Sequence, residues 1–222
     1  MNILMTSGAT REPIDSVRFI SNFSTGKTGA ALCEAFSLRG AAVTFLSGEG
    51  SAVPSTARHV IRFGSFSDLN SSMERVLREE KFDAIVHMAA VSDYSITEVH
   101  VDGKPIEGWA RSKLTSTAQI LELKLRPNFK IIERIASYSC NPNISIVAFK
   151  LTDTEIISEQ KMAVAQIFST SEPHFVIHND MHLIREGKRE FKVYSADQEF
   201  MDAHSVADLA QILYSEWTRE KI

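Results

Sequence analysis

Apolar and polar positions alternate in blocks along the chain, and the blocks repeat in one order. Residues 2–6 are an apolar run that ends at Ser7-Gly8, which reads as a buried strand opening into a turn. A polar loop follows to about Asn22. Residues 26–39 then carry apolar residues at Ala30, Leu32, Ala35, Phe36 and Leu38, read as an amphipathic helix with Gly40 as a stop signal. Residues 41–46 form a second apolar strand, closed by Ser47-Gly48-Glu49-Gly50. The order continues with a short strand at 60–63, a helix at 67–80 capped by Ser67 or Asp68, and a strand at 82–88. The recurring alternation of strand and helix predicts a doubly wound, Rossmann-like α/β domain with a mostly parallel sheet.

The pattern breaks from Ala89 to Thr117, where the residues are mixed and rich in Ser, Thr and Gly. A long irregular stretch inside a compact domain is often functional or mobile, so residues 95–117 are read as a flexible flap. Beyond it the pattern predicts strand at 120–125, helix at 129–138, strand at 144–149, helix at 154–168, strand at 173–178, an edge strand at 190–194 and a terminal helix at 202–217. The core runs to the end, so the expectation is one domain over 1–222 with an inserted flap.

Composition narrows the classes of function. Lys plus Arg number 24 against 28 Asp plus Glu, a net charge of −4, so nothing marks a nucleic-acid or anionic-lipid partner. Two isolated cysteines, Cys33 and Cys140, make neither a zinc knuckle nor a disulfide framework. The start lacks a secretory pattern, and no apolar stretch is long enough to span a bilayer. The expectation is a reduced cytoplasmic protein with no membrane partner.

In open α/β sheets ligands bind beyond the carboxyl ends of the strands, so the residues that follow each strand carry the candidate chemistry. After the first strand, Gly8, Thr10 and the run Ser24-Thr25-Gly26 stand ahead of a helix N-terminus, where exposed N–H groups and the helix dipole favour a phosphate. The loop is neither G-x-x-x-x-G-K-[ST] nor G-x-G-x-x-G, and an ordinary α/β turn with capping hydroxyls fits it equally well. Arg18 can fork onto a carboxylate or phosphate, and Asn22 can hold an acyl group or an oxyanion. As a turn Asn and a surface Arg, the two need no ligand. After the strand at 82–88, the small residues Ala89 and Ala90 let a flat base or a ribose approach the backbone. Asp93 fits a metal or a ribose hydroxyl, and fits a turn cap as well. Lys113 lies in the flap, suited to a triphosphate if the flap closes and otherwise a solvated lysine. No nucleophile elbow occurs.

Taken together, the segments are more specific than any one of them. Thr6-Ser-Gly-Ala-Thr-Arg-Glu-Pro-Ile-Asp15, Val17-Arg-Phe-Ile-Ser-Asn-Phe-Ser-Thr-Gly-Lys27 and Met88-Ala-Ala-Val-Ser-Asp-Tyr94 resemble, in order and spacing, the phosphopantothenoylcysteine synthetase family. The chain resembles the stand-alone form, without a flavin-dependent decarboxylase domain in front. The resemblance implies a ligase that joins 4′-phosphopantothenate to cysteine in coenzyme A biosynthesis. Its co-substrate is a nucleoside triphosphate, CTP or ATP, its cation is Mg²⁺, and its assembly is a homodimer.

The same resemblance implies roles for single residues. Asn22 holds the acyl intermediate, Arg18 belongs to the same motif, and Lys113 neutralises the triphosphate. Ser24, Thr25, Gly26 and Ala90 line the substrate site. His87, Met88 and Ala89 read the nucleotide base, and Asp93 sits near the nucleotide and its cation. Asn128, Phe129, Lys130 and Ile131 stand near the phosphates, and Phe149 is an aromatic at the nucleotide. Asn179-Asp180 match a family motif in which His178 replaces alanine. The chain departs from the pattern at Gln166 and Thr170, where family members carry phosphate-facing lysines. It departs again at Phe129, in place of a proline, and at Phe23, in place of a common histidine. The lost lysines leave open a non-catalytic relative that only binds nucleotide. A short-chain oxidoreductase is the other alternative, but neither Tyr94 nor Tyr138 is followed by Lys at four residues.

Overall fold

The first apolar run is the centre of the molecule. In the computed structural model, which describes residues 1–197 and 200–219, it forms β1 (Asn2–Ser7), with Ile3, Leu4 and Met5 fully buried. The polar loop that follows holds a small hairpin, β2 (Arg11–Pro13) and β3 (Phe19–Ser21), and leads into α1 (Lys27–Leu38). Then come β4 (Ala42–Gly48), β5 (His59–Phe63), α2 (Phe66–Glu79) and β6 (Ala84–His87). The flap region holds β7 (Tyr94–Val101), β8 (Lys104–Pro105) and a 3₁₀ turn at Trp109–Arg111, and β9 (Leu121–Pro127) follows. The rest of the chain is a 3₁₀ turn at Ile131–Arg134, α3 (Ile135–Tyr138), β10 (Ser145–Thr152), α4 (Ile157–Ser171), β11 (Phe175–Asp180), α5 (Met181–Arg185), β12 (Phe191–Ser195), β13 (Phe200–Ala203) and α6 (Val206–Arg219).

Eight strands make one sheet in the order β13-β12-β11-β10-β6-β1-β4-β5. The six from β5 to β11 are parallel, in the doubly wound order, and β12 and β13 add antiparallel at one side. The strand order reverses between β1 and β6, so a crevice opens there at the carboxyl ends. Both faces are covered because alternate residues of each strand bury on opposite sides. Ile3, Met5, Val43 and Val86 pack with Phe36 of α1 and Trp217 of α6. Leu4, Leu46 and Ile85 pack with Leu69 and Met73 of α2 and Ile135 of α3. Val164 of α4 covers Ala148 and Val176.

Several elements differ from the sequence expectation. The cap of α2 is Ser65, two residues earlier than Ser67. Ser65 Oγ accepts from Asp68 N–H while the Asp68 carboxylate accepts from Ser65 N–H, a reciprocal capping box. The flap is not a structureless loop. β7, β8 and β9 form a separate antiparallel sheet with its own core of Ile96, Val99 and Leu114. The strand expected at 120–125 therefore pairs with β7 and not with the main sheet. A bulge between Ile96 and Glu98 shifts the alternation along β7, which hides the strand from a period-two reading. The helix at 129–138 is a 3₁₀ turn followed by one α turn. β12 is not the sheet edge, because the short β13 pairs outside it, and Asp202 belongs to β13 and not to the terminal helix.

Candidate active site

β1 ends at Ser7, and Gly8 makes the turn that follows. Gly8 takes φ +89°, and a Cβ there would lie 2.2 Å from Ser51 Oγ, so only glycine makes this turn without strain. Thr10 is fully buried. Its backbone N–H donates to Ala90 O (3.2 Å) and its Oγ1 accepts from Ser92 N–H (2.8 Å), while Ala90 N–H donates to Gly8 O (2.8 Å). Gly8 and Thr10 thus tie the loop after β1 to the loop after β6, and the Thr10 side chain supports the site from behind.

His87 works in the same way. Its ring is buried, with Nδ1 2.8 Å from Thr6 Oγ1, and burial alone pulls its pKa down to about 4. The neutral imidazole braces Thr6, whose hydroxyl accepts from Ala89 N–H (3.2 Å). Met88, Ala89 and Ala90 are thereby held as a bare backbone edge at the mouth of the crevice.

These loops enclose a cleft of about 720 Å³. Met88, Ala89 and Ala90 form part of its wall, with Asn22, Ser24, Thr25 and Gly26 opposite and Phe149 of β10 alongside. Asn22 is steadied by a hydrogen bond from its Nδ2 to Val91 O (3.1 Å). Gly26 caps α1 with φ 70° and no side-chain bond, so the first-turn N–H groups of α1 stay available to an anion. Close approach of α1 depends on Gly29, whose missing Cβ would lie 2.2 Å from Ser7 Oγ. Arg11, Lys27 and Arg189 bring positive charge to the wall. Arg189 Nη1 donates to Thr28 Oγ1 (2.6 Å), while Arg11 lies 3.9 Å from Glu49 and stacks over the Phe19 ring at 4.5 Å.

Other residues expected at the site stand outside this wall. Arg18 forks onto the buried Asp15 carboxylate through Nε (3.0 Å) and Nη2 (2.6 Å). Asp93 is exposed and paired with Lys130 Nζ at 2.5 Å. Asn128 uses its amide on Ser92 O (3.0 Å) and Ser95 Oγ (2.9 Å), which fastens the flap sheet to the loop after β6. Phe129 meets Phe66 edge-on and carries the Arg134 guanidinium on its face, and Ile131 is buried in the core. Gln166 and Thr170 are exposed on α4, away from the cleft. Lys113 is exposed, but its neighbours are docked. Leu114 N–H donates to Asp15 Oδ2 (3.1 Å) and Ser16 N–H to Ser112 O (3.3 Å). Arg189, Ser51 and Asp15 were not singled out from sequence. Asp15 closes the first motif block but has a side chain of no obvious chemistry there, and Arg189 and Ser51 lie in loops without a motif, so only the fold brings the three to the cleft and its approach.

Comparison with known proteins places the chain in a family. The family described as DNA/pantothenate metabolism flavoprotein C-terminal domain matches residues 1–216. The coenzyme A biosynthesis bifunctional protein CoaBC of Thermococcus kodakarensis is 35% identical over 166 residues, covering 73% of this chain and 38% of that protein. Its counterpart in Haemophilus influenzae is 34% identical over 136 residues, covering 61% and 31%. The chain thus spans less than two fifths of the length of these relatives. Among solved structures, the DNA/pantothenate metabolism flavoprotein from Streptococcus pneumoniae superimposes with a TM-score of 0.85 at 22% identity, covering 99% of both chains. A Cab2 variant in complex with phosphopantothenate-cysteine gives 0.77 at 19% identity, covering 99% of this chain and 88% of the other. At these identities the likeness establishes the fold. By the match along nearly its whole length, the chain belongs to the DNA/pantothenate metabolism flavoprotein C-terminal domain family.

Proposed function

We propose that this domain joins 4′-phosphopantothenate to L-cysteine through an acyl-nucleotide intermediate, with CTP or ATP as the activating co-substrate, as a step of coenzyme A biosynthesis. The observation that carries this reading is the single cleft at the strand-order reversal. There Asn22, the 24–26 loop, the Met88–Ala90 backbone and the uncapped end of α1 share one volume of about 720 Å³. That volume lies within the range of small-molecule pockets.

In the first half-reaction a carboxylate oxygen of pantothenate attacks the α-phosphorus of the nucleotide and pyrophosphate leaves. In the second, the cysteine amine attacks the acyl carbon, and the nucleoside monophosphate leaves with the electron pair of the broken C–O bond. The amine's proton goes to solvent. Neither step needs a covalent enzyme nucleophile. The cleft's contribution is to hold both partners in one geometry, an effect worth on the order of 7–11 kcal/mol of barrier. Asn22 is assigned to the acyl oxygen, and the Met88–Ala90 edge and Phe149 to the nucleotide. The positive wall of Lys27, Arg11 and Arg189 favours the phosphates. Lys113 is assigned to the triphosphate charge. It stands outside the cleft wall, so this role requires the flap to close, within the chain or across a homodimer. The exposed apolar side chains Tyr94, Leu121 and Leu125 on the flap sheet support the dimer.

The family's Mg²⁺ finds no resident cage in these residues. Asp93 is engaged by Lys130, and among the described residues no three His, Cys, Asp or Glu side chains converge. No step is therefore routed through a protein-held ion. Mass spectrometry after incubation with 4′-phosphopantothenate and each nucleotide, without cysteine, tests the reading. The acyl-nucleotide should be found with CTP or ATP and disappear into 4′-phosphopantothenoylcysteine when cysteine is added. Nucleotide bound but unchanged would instead support the non-catalytic relative.

A further inference from the structure

A second cavity, of about 280 Å³, opens at the carboxyl end of β11, between the start of α4, α5 and the β12–β13 hairpin. Asn179 belongs to the walls of both this cavity and the main cleft, and nothing in the ligase reading uses the rest of it. Two of its residues, His178 and Asp180, are 4% and 3% exposed.

A count of protons decides which ring nitrogen of His178 is free. Asp180 accepts the N–H groups of His182 (2.8 Å, to Oδ1) and Thr154 (3.3 Å, to Oδ2), and the Thr152 hydroxyl as well. Burial raises the Asp180 pKa, but these hydrogen bonds outweigh it and hold the carboxyl ionised, below its ordinary value. An ionised carboxylate only accepts, so the single proton of Thr152 Oγ1 points at Asp180. Thr152 Oγ1, 2.7 Å from His178 Nε2, must then accept from that nitrogen. Burial keeps the His178 ring neutral, with its proton on Nε2 and a lone pair on Nδ1.

Among the described residues Nδ1 has no hydrogen-bond partner, yet no enclosed side-chain N or O atom of theirs is left unpaired. Nδ1 therefore keeps open surface, and the open surface of this nearly buried ring belongs to the cavity. The surrounding wall is acidic, with Asp180, Glu155, Glu190 and Asp202. Its one ammonium, Lys192, is 3.5 Å from Asp202 and 4.2 Å over the Phe200 ring. His182 lies 3.6 Å from Asp153 and 3.5 Å from Glu155. The free valence of the cavity is thus an acceptor in a negative surround. No three metal donors converge among the described residues, and the space exceeds that of a bare ion.

We propose that this cavity binds a small primary ammonium ligand, a free amine or an amino acid, whose N–H donates to Nδ1 of His178. The two sources share the –NH₃⁺ group. They differ in whether a carboxylate accompanies it, which would have to draw Lys192 from Asp202 or meet His204 in the same wall.

The test uses the full chain labelled with ¹⁵N, titrated with ethanolamine, L-serine and tetramethylammonium at constant ionic strength. The expected result is a saturable shift of the His178 Nδ1 resonance with ethanolamine or L-serine, and none with tetramethylammonium, which has no N–H to donate. The tighter of the two primary probes identifies the source. By calorimetry, His178→Ala should weaken binding at least about tenfold, as expected for one lost hydrogen bond to a charged group. Glu190→Gln, an exposed change that leaves the Asp180–Thr152–His178 hydrogen bonds intact, should weaken it by a smaller factor and serves if the first variant fails to fold. Absence of a saturable shift with both primary amines, equal binding of tetramethylammonium, or unchanged affinity in a folded His178→Ala variant would each overturn the proposal. These readouts involve neither nucleotide nor pantothenate, so they stand apart from the ligase assignment.

Discussion

Asp15 and Leu114 are 99 residues apart in sequence, yet the buried Asp15 carboxylate accepts the Leu114 N–H at 3.1 Å. The same oxygen binds Nη2 of Arg18, and the other oxygen accepts the N–H groups of Val17 (2.9 Å) and Arg18 (2.7 Å). One buried charge therefore holds the base of the flap, next to Lys113, onto the loop that leads to Asn22.

Asp15→Asn removes the charge but keeps an acceptor oxygen, so the flap base should loosen without loss of the fold. Trypsin cleavage after Lys113 is expected to quicken several-fold. The Arg18 pairing, with the backbone donors, holds the Asp15 carboxyl well below the usual carboxylate range. A lowered folded pKa stabilises the fold above the unfolded value of about 4, and this contribution is lost as pH falls toward the folded value. Stability curves of the wild type and Asp15→Asn should therefore differ at neutral pH and converge in acid. Curves that stay parallel down to low pH would remove Asp15 from the account.

His87 gives a pH dependence with its own window. Its folded pKa of about 4 lies below the ordinary 6.5. Between these values the unfolded chain binds a proton that the folded chain does not, so stability falls as pH drops through that range. The shift corresponds to on the order of 3 kcal/mol. His87→Gln should flatten urea-unfolding stability between about pH 6.5 and 4, relative to wild type, once the cost of the substitution at neutral pH is subtracted. An unchanged slope would mean that His87 is not held neutral.

Gly29 sits in α1, where alanine normally gains about 1 kcal/mol of helix propensity. Here the added Cβ would lie 2.2 Å from Ser7 Oγ and 2.6 Å from Ser7 Cβ. Overpacking of this kind costs about 1–3 kcal/mol, so Gly29→Ala should lower Tm and weaken nucleotide binding. Ser7→Gly combined with Gly29→Ala should cost less than the two single changes added together. A Tm that rises in Gly29→Ala would show that α1 and β1 are not in this contact.

Asn22→Asp places a carboxylate where the acyl oxygen is assigned. Pyrophosphate should still form while product falls by about 10²-fold or more, the loss typical of one oxyanion donor, and acyl-nucleotide should accumulate on the protein. Product at the wild-type rate from this variant would remove Asn22 from the second half-reaction.

The parallel core was legible because Ile3, Val43, Ile85 and Val147 lie in short, mostly apolar runs broken by glycine and polar turns. Asn22, the 24–26 loop and the Met88–Ala90 edge were legible because they follow strand ends, where a doubly wound sheet opens. The flap sheet was not. Most of β9 is exposed, so it carries little hydrophobic signal, and β7 is bulged. Arg189 and Ser51 reach the cleft through long-range packing that leaves no trace in local sequence. Thr10, Asn128 and Ile131 are engaged by the protein itself, which a motif does not distinguish from ligand contact, because it reports that a position is constrained and not which way its side chain faces.

The central claim is that this chain activates 4′-phosphopantothenate with a nucleoside triphosphate. Pyrophosphate release from the purified protein, with Mg²⁺ and 4′-phosphopantothenate and with CTP compared to ATP, tests it most directly. The account predicts release with one of the two nucleotides that depends on 4′-phosphopantothenate and increases when cysteine is added. No release with either nucleotide, from protein shown to be folded, would contradict it.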